Sequence, residues 1–305
     1  MKKQVSNFEQ SIHQKLLNQA KANHQPFEHV LKRYAMERFL YRLSISLHVS
    51  EFILKGGLLL ACYDMPSSRP TLDIDLQSFS LNHHQKRIED AIREVCQIQA
   101  EPDGLLFDET SLVCHALNHL DGYEGIGVHL LCFLGRAEIT VKIDIGFSGS
   151  FQLVPILIDY PAMLSFPKPR LQAYRQESVI AEKFEAMVKH DLATSRMKDF
   201  YDIWMLSTTF EYDSLELSIA IEQTFRQCKR KIEADPFVLQ SMFGSDVELG
   251  RKWKVFIQKN DLVEAPRDFA TVSEHIREFL LPIVTGLAKN AQLTGRWIPP
   301  GPWRV

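Results

Sequence analysis

Apolar and polar residues alternate along this chain with two different periods. Over residues 8–48, Leu16, Leu17, Ala20, Phe27, Val30, Leu31, Tyr34, Phe39, Leu40 and Leu43 recur mostly at three- and four-residue spacing, which predicts helix. Gln25-Pro26 splits it into two, because proline disfavours helix in the residue before it. At Phe52 the pattern changes. Phe52-Ile53-Leu54-Lys55 leads into Gly56-Gly57 and an apolar run from Leu58 to Tyr63, a short strand or turn entering a helix. Leu72, Ile74 and Leu76 alternate with Asp73 and Asp75, and Ile139, Val141, Ile143 and Ile145 with Thr140, Lys142 and Asp144. Both are strands of period two. Further strands are predicted over 110–117 and 126–134, with a helix over 83–98.

The helical period returns at Ser178, with helices predicted over 178–190, 195–207, 214–232, 246–259 and 271–288. Pro155, Pro161, Pro167 and Pro169 mark an irregular connection between the two halves. The fold class is therefore α/β (α+β), with a strand-rich part over 1–165 and a helical part over 166–305. Pro299-Pro300-Gly301-Pro302-Trp303-Arg304 is expected to hold neither helix nor strand. It is either a free end or one pinned by Trp297 and Trp303.

Composition narrows the class. The 305 residues carry a net charge of -3, so any contact with nucleic acid must use a local patch. The first fifty residues offer one: Lys2, Lys3, Lys15, Lys21, Lys32, Arg33, Arg38 and Arg42 outnumber Glu9, Glu28 and Glu37. A solvated helix face is the plainer reading. Cys62, Cys96, Cys114, Cys132 and Cys228 are odd in number and form no C-x-x-C pair, against a disulfide framework or a zinc site. The N-terminus lacks the apolar core of a signal peptide and no long apolar run predicts a membrane span. A cytoplasmic location is expected.

The candidate chemistry lies on the strands. Asp73 and Asp75 point the same way, and two carboxylates held close repel until a cation joins them. Magnesium favours such hard oxygen ligands, completed by substrate phosphates. The bland alternative is solvated surface. If the 138–145 strand neighbours the Asp73 strand, Asp144 joins them; it can also be a cap or an ion-pair partner of Lys142. Gly56-Gly57 can present backbone N–H groups to a phosphate, or simply make a tight turn. In the helical half, Lys183 lies at the margin of the Ile180, Phe184, Met187 and Val188 stripe. Ser195, Asp199 and Asp202 share one polar face of the next helix. Lys183 can reach a triphosphate or snorkel along the core, and an aspartate there can bind nucleotide or orient the lysine. A plain salt-bridged helix pair fits the same spacing.

Taken together, four blocks carry a resemblance. They are Phe52-Ile53-Leu54-Lys55-Gly56-Gly57 after the lead-in of residues 34–44; Arg69-Pro70-Thr71-Leu72-Asp73-Ile74-Asp75-Leu76; Lys142-Ile143-Asp144-Ile145-Gly146-Phe147; and Glu182-Lys183-Phe184-Glu185-Ala186-Met187 followed by residues 195–204. The chain resembles the AbiEii/AbiGii family of nucleotidyltransferase-like toxins, which includes mycobacterial tRNA-modifying toxins. The resemblance implies a DNA-polymerase-β-like nucleotidyltransferase core with a mixed sheet, a helical lead-in and a helical C-terminal half. It implies a toxin of a bacterial toxin–antitoxin or abortive-infection (phage-defence) system, neutralised by a cognate antitoxin. Asp73 and Asp75 would bind metal, Lys183 and Asp199 would be needed for nucleotide use, and Asp202 would support them.

The expected reaction transfers a nucleoside monophosphate from a nucleoside triphosphate to RNA, with tRNA the expected acceptor. Asp73, Asp75 and Asp144 would hold two magnesium ions, and Lys183 and Arg69 would stabilise charge on the phosphates. A protein hydroxyl as acceptor, or a non-catalytic nucleotide- or RNA-binding module, are the alternatives. Two positions depart from the family pattern: Leu58 stands where many nucleotidyltransferases place serine or threonine, and Gly149 where many relatives have aspartate.

Overall fold

The computed structural model describes residues 7–63, 69–78, 85–118, 124–147, 154–194, 196–291 and 293–304. They fall into two compact units. The first comprises the described residues up to 147, except Arg69, together with 155–174; Arg69, Val154 and the residues from 175 onward form the second.

In the first unit, α1 (Asn7–Ala22) and α2 (Phe27–Ser44) are separated at Pro26, as the sequence predicts. Ile12, Leu16 and Ala20, four apart, form the buried stripe of α1. Then follow β1 (Phe52–Lys55), the single turn α3 (Gly56–Leu59), β2 (Ile74–Ser78) and α4 (Gln85–Gln97). β3 (Leu105–Asn118), β4 (Glu124–Leu134) and β5 (Ala137–Phe147) form an antiparallel meander, and β6 (Ile156–Asp159) pairs with β7 (Arg170–Ala173).

The seven strands form one sheet in the order β3-β4-β5-β2-β1-β7-β6. β2 runs parallel to β5 and β1 parallel to β7; the other pairs are antiparallel, so the sheet is mixed. Ile74 and Leu76 of β2 and Val141, Ile143 and Ile145 of β5 are buried on one face, which leaves Asp73, Asp75, Lys142 and Asp144 on the other.

The connection expected to be irregular holds β6 and β7. Its prolines all fall outside these strands, where they remove no ladder hydrogen bond. The division expected between 165 and 166 falls between β6 and β7, which both belong to the first unit.

The second unit is mainly helical: α5 (Gln176–His190), α6 (Met197–Thr209), the short β8 (Tyr212–Asp213), α7 (Ser214–Gln227), α8 (Ser241–Gly244), α9 (Val247–Lys259) and α10 (Phe269–Ala288). α7 stops five residues before the expected end at 232, and Lys229 takes a left-handed φ of 52°.

The tail corrects an expectation. Trp303–Arg304 forms a strand, β10, antiparallel to β9 (Arg296–Trp297), which pairs with β8. The prolines precede β10 and so do not interrupt its pairing. Trp297 is fully buried and donates to the Ser207 carbonyl at 2.6 Å; Trp303 donates to the Phe279 carbonyl at 2.8 Å. Of the two readings of this segment, the pinned one holds. Among the described residues no helix is long and apolar enough to cross a membrane.

Candidate functional site

Strand register assembles the acidic residues of the first unit. Asp75 of β2 and Asp144 of β5 are direct partners across a parallel pair, so they stand side by side on one face, about 4.8 Å apart along the sheet. Asp73 precedes β2, two residues from Asp75 and on the same side by alternation. The same row continues outward: Asp75 faces Lys55 in β1, and Asp144 faces Gly127 in β4, which faces His115 in β3. Neither histidine of this face, His115 or His129, was singled out from the sequence. No local periodicity reports which residues a strand lies beside.

Gly56 and Gly57 open α3, the expected turn into a helix. Gly56 has φ of 67°, and a Cβ placed on it would sit 1.9 Å from Asp75 Oδ2. Its bare backbone therefore makes room for the Asp75 carboxylate. Leu58, the departure from the family pattern, is buried in the core. Gly56→Ala combines a strained backbone with a collision against Asp75. A loss of about 2 kcal/mol or more is expected on denaturant unfolding, with transfer activity falling further than stability because Asp75 must move. An unaltered unfolding midpoint would refute this.

Asp73, Asp75 and Asp144 offer only carboxylate oxygens as donors. Among the described residues no group of three or more His, Cys, Asp or Glu side chains is placed to hold a metal ion, these three aspartates included. Magnesium is commonly held by one or two carboxylates with phosphate oxygens and water completing its shell, which paired carboxylates on an open face allow. Basic groups border them. Burial holds the Lys32 ammonium below its ordinary pKa, opposed by Asp73 and reinforced by Lys142. Burial also lowers His129, helped by His115 and Lys142 and opposed by Asp144 and Asp73.

The second unit gathers Arg69, Lys183, Asp199 and Asp202. Asp202, buried on α6, accepts from Arg69 Nε at 2.9 Å and from its terminal nitrogen at 2.8 Å, and Lys183 Nζ lies 2.5 Å from Oδ2. Asp199, one turn earlier, accepts from Arg196 Nε at 2.6 Å, with Lys183 at 3.5 Å from its other oxygen. That second oxygen, Oδ1, is buried and has no hydrogen bond. Burial pushes the Asp202 carboxyl up, but Lys183 and Arg69 outweigh it, and the group lies below the ordinary carboxylate value of 3.8. Both aspartates thus pair with Lys183, an arrangement that fits the orienting role and the plain salt-bridged helix pair read from the sequence alike. Ser195, expected on the same polar face, lies outside the described residues, as does Gly149.

The N-terminal basic patch is partly dismantled. Arg38 and Arg42 are buried. Arg42 forms a two-point pair with Asp103 at 2.6 and 3.1 Å, and Arg38 donates to the Pro167 carbonyl at 2.6 Å beside Glu37 at 2.8 Å. These arginines serve the fold, paired as buried charge requires; Lys2 and Lys3 lie outside the described residues. A cavity of about 380 Å³ in the second unit, lined by Asp191, Lys229, Arg230 and Phe237 among others, contains none of the predicted site residues.

Asp75 and Asp144 thus stand side by side on one face of a mixed sheet. A family model described as nucleotidyl transferase AbiEii toxin, type IV TA system, matches residues 38–275. The chain belongs to this family of nucleotidyltransferase toxins, which implies a nucleotide substrate and an antitoxin partner. No curated protein sequence matches it. Among solved structures, a candidate nucleotidyltransferase from H. pylori is similar at 15% identity and a TM-score of 0.47, over 85% of this chain and 95% of that one. JHP933 from Helicobacter pylori is similar at 14% identity and a TM-score of 0.45, over 94% of each chain.

Proposed function

We propose that this toxin transfers a nucleoside monophosphate from a nucleoside triphosphate to the 3′-hydroxyl of an RNA, with tRNA the expected acceptor and magnesium the metal. The observation that carries the reading is the side-by-side placement of Asp75 and Asp144, with Asp73 two residues away and Gly56 cleared for the Asp75 carboxylate. The hydroxyl oxygen bonds to the α-phosphorus, and the bond from that phosphorus to the pyrophosphate oxygen breaks. Bound magnesium would supply charge neutralisation on the phosphates and a lower pKa for the attacking hydroxyl. Asp73, Asp75 and Asp144 would hold it. Lys183 and Asp199 are assigned to nucleotide use, with Asp202 and Arg69 fixing the lysine, and Gly57 to the turn that carries Gly56. The site of action is the cytoplasm and the setting phage defence.

Incubation of the purified protein with tRNA, magnesium and each α-labelled nucleoside triphosphate tests this. RNase-sensitive label from at least one triphosphate is the expected result. Protease-sensitive label would move the acceptor to a protein hydroxyl, and absence of label with every triphosphate would leave a binding module in place of an enzyme.

A further inference from the structure

The sheet face that carries the carboxylates extends two strands beyond Asp144, and there it carries a pair of exposed imidazoles. His115 lies in the row of Asp144 and Asp75, separated from Asp144 only by Gly127. His129 lies one row along, between Val113 and Lys142. Both are exposed, and their rings meet edge to face with centroids 4.9 Å apart. The His115 ring covers the Gly127 backbone: a Cβ on Gly127 would sit 2.4 Å from His115 Nε2. It therefore leans across β4 towards Asp144, whose strand is roughly 10 Å from β3, two inter-strand spacings. A ribose and its base can bridge that separation.

From this row we infer that His115 and His129 form the acceptor subsite, a platform on which the terminal base of a single-stranded RNA end stacks, so that its ribose hydroxyl lies over Asp144 and Asp75. The inference rests on the RNA reading given above. Three features favour an RNA end over a peptide. Unpaired bases are recognised by stacking on aromatic side chains, histidine included. The neighbouring cations, Lys142 in the row of His129 and Lys32 beside it, suit a phosphate backbone. Because Gly127 has no side chain, the His115 ring lies down over it, and this exposed ring is the flat surface offered to a planar base beside Asp144. The histidines are positioning residues: they hold the acceptor, and the carboxylates serve the reacting atoms.

Two measurements on the full chain test this. In the first, anisotropy of a labelled tRNA pool reports binding without any triphosphate. In the second, transfer kinetics separate KM from kcat. The variants are His115→Ala with His129→Ala, and His115→Phe with His129→Phe. Loss of base stacking is expected to raise Kd and KM for RNA about tenfold or more, with KM for the triphosphate unchanged and kcat less affected than KM. The phenylalanine pair should restore RNA binding. Gly127→Ala, which displaces the His115 ring and keeps both histidines, should weaken RNA binding in the same direction and decides the matter if the alanine pair does not fold. Unchanged RNA affinity in the alanine pair, or equal loss in the alanine and phenylalanine pairs, overturns the subsite. Failure of the wild type to label RNA would refute the transfer reading alone, since the binding arm needs no turnover.

Discussion

Asp75→Asn is expected to lower nucleotide transfer by on the order of 10³-fold while leaving the unfolding midpoint near that of the wild type. The asymmetry follows from where Asp75 sits. It is half-exposed, next to Asp144 in the parallel pair and opposite Lys55 in β1. Two carboxylates one strand apart repel each other while Lys55 across β1 attracts Asp75, so neutralising one charge changes opposing contributions that offset each other. The amide keeps the shape that Gly56 accommodates, so the turn into α3 need not move. What disappears is one of the three carboxylates proposed to hold a divalent cation. Magnesium should therefore raise the melting temperature of the wild type and have a smaller effect on the variant, because a ligand stabilises only the state that binds it. Growth inhibition should be lost together with transfer. An Asp75→Asn protein as toxic and as active as the wild type would show that the carboxylate pair is surface charge and no part of a reaction centre.

The sequence made the elements of this site legible, and the sheet made their neighbours so. Alternation placed Asp73 and Asp75 on one side of β2, and Lys142 and Asp144 on one side of β5, since period two is a local property of a strand. That β2 lies parallel to β5 in the register that pairs Asp75 with Asp144 is a relation between residues far apart in the chain, and no window of sequence contains it. The same limit hid His115 and His129, whose significance depends on the β3–β4–β5 register. Gly56 read as a turn glycine; its closeness to Asp75 required the β1–β2 pairing. Arg38 and Arg42 looked like surface charge because a helix period gives the face and not the depth, and Asp103, which holds Arg42, comes from the loop after α4. Short β6 and β10 were missed because two to four residues flanked by proline carry too little pattern.

Lys183→Met is expected to destabilise the second unit by about 3–5 kcal/mol, the range for breaking a buried ion pair from one side. Lys183 is the cation shared by two buried aspartates on one helix. Asp202 would keep Arg69, and Asp199 would keep Arg196, but Asp199 Oδ1 already lacks a hydrogen bond and would lose the Lys183 ammonium at 3.5 Å. The pH dependence has a definite sign. Because the folded-state Asp202 carboxyl lies below its ordinary value of 3.8, its contribution is present above that value and is lost as acid drives the pH down through the folded pKa. Removing Lys183 takes away the first of the two charges that hold this carboxyl down, so acid unfolding of the variant should begin at a higher pH than that of the wild type. Circular dichroism across the acid range measures this directly, and coincident acid transitions would count against the network. Activity then separates structure from chemistry. Assayed well below the variant's melting temperature, where most molecules are folded, transfer should still fall far more than the folded fraction does. If activity merely tracks the folded fraction, Lys183 holds α5 to α6 and does nothing for the nucleotide.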